Sequence, residues 1–85
     1  MPKPRKSAFE EPYIAIIDRL IARRQALNIT QAELGERFGE DQSFISRVER
    51  RQRRIDVWEF VRLCRLLNLD SSAVLGDIGA EYPDE

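Results

Sequence analysis

An all-α fold of five helices is what the 85 residues predict, on three observations. From Tyr13 to Ile78 apolar residues recur three and four apart, the spacing that places them on one helical face. No stretch alternates apolar and polar residues in the manner of a half-buried strand. Helix-start chemistry recurs along the chain, at Thr30, Asp41, Asp56 and Ser71. With 42% hydrophobic and 34% charged residues, the composition suits one compact domain with a small core rather than a disordered chain.

Residues 1–12 hold three prolines together with Lys3, Arg5 and Lys6, and are expected to form a flexible basic arm. A helical domain is expected over 13–78 and an acidic tail over 79–85. In the first helix, about 13–27, Ile14, Ile17, Leu20, Ile21 and Leu27 make the stripe, and Asn28 suits a left-handed helix end. Thr30-Gln31-Ala32-Glu33 fits a capping box for the second helix. That helix carries Leu34 and Phe38 on one face and stops at Gly39 after two turns, so packing must hold it. Asp41 is the expected N-cap of the third helix, in which Ile45 and Val48 face inward. Gln42, Ser43, Ser46, Arg47 and Arg50 then project outward, as a polar and cationic face. The fourth helix follows Asp56, with Glu59 three residues on. Its stripe of Val57, Phe60, Val61, Cys64 and Leu67 is widened by Trp58, Leu63 and Leu66, which predicts burial on more than one side. Trp58 and Cys64 are accordingly expected in the core. The fifth helix opens at Ser71-Ser72 and carries Val74, Leu75 and Ile78.

Several kinds of chemistry are excluded by what is missing. No histidine is present and Cys64 is the only cysteine, so neither a zinc site nor a thiol–imidazole pair can form. No glycine-rich phosphate loop occurs. An enzyme is therefore not expected, nor any metal or other cofactor. The lone cysteine points to a reducing cytoplasm. No apolar run approaches the ~18 residues of a membrane span, and the basic N-terminus lacks the apolar segment of a signal peptide. A net charge of −1 conceals a division: 12 Lys/Arg against 8 Asp/Glu in residues 1–54, and 2 against 7 in residues 55–85. Five arginines fall in the eight residues 47–54. The local patch governs contact, so an acidic pI of about 5.5 is compatible with a polyanionic partner.

Two short helices joined by a glycine turn, the second presenting polar side chains, outline a helix-turn-helix. The stretch TQAELGERFGEDQSFISRVERRQRR resembles the phage Cro/repressor-like (XRE) helix-turn-helix family. The elements that match are Thr30-Gln31, Glu33-Leu34-Gly35, Gly39, Ile45-Ser46 and Glu49, and the likeness extends over about residues 13–76. The chain is also similar to the small controller proteins of restriction–modification systems. The resemblance implies a lambda-repressor-like DNA-binding domain whose helix-turn-helix covers about 31–50. It implies a cytoplasmic regulator that binds palindromic double-stranded DNA as a homodimer, at a nearby promoter or its own. It further implies base contacts from Gln42, Ser43, Ser46 and Arg47, and phosphate contacts from Thr30, Gln31, Arg50, Arg53 and Arg54. Arg24 and Glu49 occupy positions that pair as an internal salt bridge in the family. Two positions depart from the pattern. Gly35 stands where the family has alanine, which allows a closer helix crossing. Arg51 stands where many members have glycine, which predicts a longer third helix.

Blander readings of the same residues remain. The outward face of the third helix is also what an ordinary solvated helix presents, and the arginine run also suits an acidic protein partner. Phe44 lies off the inward stripe, where it either packs at the core edge or meets a thymine methyl. Val74, Leu75 and Ile78, with Tyr82, offer a dimer surface or else cap the monomer core. A repressor would block the promoter, whereas an activator would present the acidic residues 55–85 to RNA polymerase. The competing function is an antitoxin-like protein-interaction module with secondary DNA binding.

Overall fold

A computed structural model describes residues 10–84 and folds them into five helices. These are α1 (Glu11–Ala26), α2 (Gln31–Phe38), α3 (Gln42–Glu49), α4 (Val57–Leu66) and α5 (Ser71–Glu81). No strand occurs among the described residues. Residues 1–9 of the basic arm expected over 1–12 lie outside them, whereas Glu10 is the N-cap of α1 and Glu11 and Pro12 form its first turn rather than a loose segment. Proline is tolerated there because first-turn N–H groups have no intrahelical acceptor. At the other end α5 continues to Glu81, so the expected tail from residue 79 is helical for three residues.

Each helix boundary has a local cause. Thr30 accepts from the Glu33 N–H at 3.0 Å while Glu33 accepts from the Thr30 N–H at 2.9 Å, the reciprocal box that starts α2. Asp56 and Glu59 repeat it at the start of α4. Asp41 and Asp70 cap α3 and α5 with single carboxylates. The first four helices end alike, each on a residue in the left-handed region: Asn28, Gly39, Arg51 and Asn68, with φ of 57°, 91°, 61° and 55°. At each end the following N–H reaches back to a carbonyl five residues earlier, at 2.8–3.1 Å, which closes a Schellman motif. Arg51 thus takes the backbone conformation that a glycine would take. The expected extension of α3 does not occur, and the helix stops at Glu49.

The core gathers Ile17 and Leu20 of α1, Leu34 and Phe38 of α2, and Phe44, Ile45 and Val48 of α3 around Phe60, Leu63, Cys64 and Leu67. Val74 and Ile78 of α5 close it, with Ile29 from the first loop. Two short helices, α2 and α3, pack most extensively on each other, and α1 crosses both α3 and α5. Two expectations for α4 fail. Trp58 is 58% exposed and Val57 78% exposed, so the wide stripe overstates how much of the helix is covered. Arg65 lies over the Trp58 ring at 5.2 Å and shields part of its face from water. Cys64 is buried, and burial pushes its thiol up to about 11, which leaves it an inert hydrophobe at neutral pH.

Candidate nucleic-acid interface

Phe44, Ile45 and Val48 anchor α3 from inside. Phe44 is 5% exposed and stacks on Phe38 with ring centroids 5.2 Å apart, so it is a core residue rather than a thymine contact. Fixing that inward side leaves Gln42, Ser46, Arg50, Ser43 and Arg47 on an outward arc of about 140° at the helical repeat. Gln42, Ser43, Arg47 and Arg50 are exposed and Ser46 is half-buried. The side chains of Gln42 and Arg50 have no hydrogen bond or ion pair among the described residues. Two short helices meet closely enough to aim this face because Gly35 has no side chain. A Cβ built there would stand 2.6 Å from the Asp41 carbonyl oxygen, inside any tolerable contact.

Behind the face lies a charged brace. Arg24 donates to Glu49 through Nε at 2.6 Å and Nη2 at 2.9 Å, with each side chain close to nine-tenths buried. Its Nη1 also caps the Ile29 carbonyl at 2.9 Å. Gln31 Nε2 donates to the same Glu49 carboxylate at 2.9 Å. A carboxylate only accepts, so the Gln31 amide is oriented with one N–H inward and the other N–H still available. Three helices, α1, α2 and α3, are thereby locked at one point. Thr30 is exposed beside Gln31, its oxygen engaged in the cap.

Arginines after α3 do not share one environment. Arg53 pairs with Glu59 through two N–H···O bonds of 2.9 Å and donates to the Arg54 carbonyl at 3.0 Å. Its guanidinium also covers the Phe44 ring at 4.6 Å. The Arg53 bond is the first cause holding the Glu59 carboxyl below its ordinary value, and Glu59 in turn raises Arg53. Arg53 therefore ties the loop to α4, which a composition-based reading of the run does not reveal. Arg54 is exposed and lies over Tyr13 at 4.8 Å. Arg62, which the sequence did not single out, donates to the Phe38 carbonyl at 2.6 Å and covers that ring at 4.0 Å. Arg23 does the same service at the end of α4, donating to the Leu67 carbonyl at 2.9 Å. Nothing in local spacing marks either contact, since the partners stand 24 and 44 residues away.

On α5, Val74 is 1% and Ile78 7% exposed, so these two face the monomer core and not a partner. Tyr82 packs partly against that core, whereas Leu75 is 47% exposed. Leu75 lies at the rim of a shallow groove of about 160 Å³, lined also by Tyr13, Ile16, Ile55, Val57 and Phe60.

Comparison with known proteins agrees with this architecture. A helix-turn-helix family model (HTH_3) matches residues 20–74, the span from α1 into α5. The chain belongs to the XRE-type helix-turn-helix family. An XRE-family like protein from Pseudomonas syringae pv. tomato str. DC3000 is similar in structure, with a TM-score of 0.80 and 43% identity. The likeness covers 85% of this chain and 88% of that one. No curated protein matches the chain. At the level of the family, this is a DNA-binding regulator domain of the helix-turn-helix class. No helix among the described residues is long and apolar enough to cross a membrane.

Proposed function

We propose that the chain is a sequence-specific transcription regulator that binds double-stranded DNA as a homodimer, at its own or a nearby promoter. The observation that carries this is the outward face of α3. Gln42, Ser43 and Arg47 stand together on a helix whose opposite side is held by three buried residues. In the proposed complex α3 enters the major groove, where amide, hydroxyl and guanidinium groups distinguish base edges. Arg50 and Arg54, with Thr30 and the second N–H of Gln31, meet the phosphates on either side. Each such contact releases counterions, which makes binding salt-sensitive.

Dimerisation is proposed through exposed Leu75 and Val57 around the groove. A two-fold assembly would cover Leu75, the exposed large apolar residue of α5, and set two recognition helices about 34 Å apart, one turn of the duplex. Repression would follow from occupying the promoter. Fluorescence anisotropy across a salt series, with the DNA upstream of its own gene and a scrambled duplex, tests the proposal. Tight binding that prefers the upstream DNA and weakens steeply with salt is expected. Equal, weak binding to both duplexes would overturn it.

A further inference from the structure

At the start of α3 the hydrogen-bonding capacity of three exposed side chains is already partly assigned. Asp41 Oδ1 accepts from the Phe44 N–H at 2.9 Å and from the Ser43 hydroxyl at 2.9 Å. The direction of the second bond is not ambiguous. The Phe44 N–H, first, and the Ser43 hydroxyl hold the Asp41 carboxyl below its ordinary value, and an ionised carboxylate has no proton to donate. The shared proton is Ser43's. Arg47 Nη1 approaches the same hydroxyl oxygen at 3.4 Å, as a further donor.

A solvated serine hydroxyl rotates and meets either a donor or an acceptor, so it reads base edges poorly. With its proton held by Asp41, Ser43 has only a lone pair to offer the groove. Oδ2 of the exposed Asp41 adds a second acceptor at the same end. Only two groups in the major groove complement acceptors: N6 of adenine and N4 of cytosine. Guanine presents N7 and O6 there and thymine O4, all of them acceptors, which would face lone pairs and a negative charge.

We propose that Asp41 is a specificity determinant as well as a helix cap. By holding the Ser43 proton it makes the leading edge of α3 an acceptor surface that selects adenine or cytosine and rejects guanine and thymine. This role rests on the DNA-reading function proposed above and adds to it which base edge is accepted. Capping alone does not need a carboxylate, because serine and asparagine cap about as well as aspartate. Substitution can therefore separate the two roles.

The test recovers preferred sites from a library of random duplexes with the full chain, then measures affinities for duplexes that differ at one base pair. In the unsubstituted protein, one position in each half-site should favour adenine or cytosine by about tenfold, the scale of one base contact. Asp41→Ser and Ser43→Ala should each reduce that preference to about twofold and leave other positions unchanged. Asp41→Asn, which keeps the cap but puts an amide N–H₂ within reach of the groove, should shift the position towards guanine or thymine. It also keeps the test decisive if circular dichroism shows that Asp41→Ser does not fold. A uniform change in affinity with base preference intact in both Asp41 variants would overturn the proposal and leave Asp41 a cap. So would guanine or thymine at the position that Ser43→Ala relaxes. Recovery of no preferred sequence by the unsubstituted protein would instead overturn the DNA-reading function, and this inference with it.

Discussion

Arg24 and Arg50 are chemically identical and stand on two sides of one helix-turn-helix. The first is largely buried, satisfies two oxygens of Glu49 and a backbone carbonyl, and joins three helices. The second is exposed on the outer arc of α3, and its guanidinium has no partner among the described residues. Arg23, Arg53 and Arg62 resemble Arg24, since each closes a helix end or a loop. What the contrast teaches is that arginine count does not measure attraction to a polyanion. A guanidinium already opposed by a carboxylate adds little field at the surface, whereas one with no partner adds its full charge.

Breaking the inner side of this contrast should have the largest effect. Arg24→Ala leaves the Glu49 carboxylate close to nine-tenths buried with Gln31 as its remaining partner, and should cost about 3–5 kcal/mol. Thermal unfolding followed by circular dichroism would show this, and an unchanged midpoint would mean that water replaces the pair. Arg50→Ala should do the reverse. Affinity for DNA should fall by about 1 kcal/mol, alike for preferred and scrambled duplexes, with the salt slope reduced by about one. The unfolding midpoint should stay within the ~0.5 kcal/mol usual for exposed substitutions.

Arg53 sharpens the division because its side chain is 39% exposed yet held by Glu59, the Arg54 carbonyl and the Phe44 ring. Arg53→Ala should lower stability by about 0.5–1 kcal/mol, the scale of a partly screened pair with a ring contact. A loss of DNA affinity with no change in stability would move Arg53 to the same group as Arg50. The smallest effect is expected at Arg51, which belongs to neither group. It holds a φ of 61° and a buried Nε without a hydrogen bond among the described residues. Arg51→Gly relieves both and should raise stability by about 0.5 kcal/mol, a few degrees in the midpoint for a domain of this size. A lower midpoint would show that the Arg51 side chain supports the loop after all.

How far the sequence showed these features depended on how local their causes are. Thr30 with Glu33 and Asp56 with Glu59 act over three residues, so the starts of α2 and α4 could be read directly. The fold class followed from the spacing of apolar residues, which needs no knowledge of the partners. Phe44 could not be placed that way, because its stacking on Phe38 depends on how α2 and α3 cross. Trp58 and Val57 were misplaced for the converse reason: a wide stripe records how apolar a helix is, not which side is covered. Val74 and Ile78 pointed inward while Leu75 beside them did not, which only the crossing of α1 and α5 decides. The one missed feature with a readable signal was the Asp41-Gln42-Ser43 spacing, in which a capping carboxylate and a hydroxyl two residues on are within reach by construction.

Gly35 carries a consequence for how this sequence can change over generations. In isolation alanine would be the better helix former at that position. Here the Asp41 carbonyl stands where the methyl group would go, 2.6 Å from it. Alanine at this position would therefore need a second substitution that reopens the crossing. The same methyl would displace Asp41, and with it the front of the reading helix. A close neighbour, and not only the helix it sits in, can thus hold a weak helix former in place.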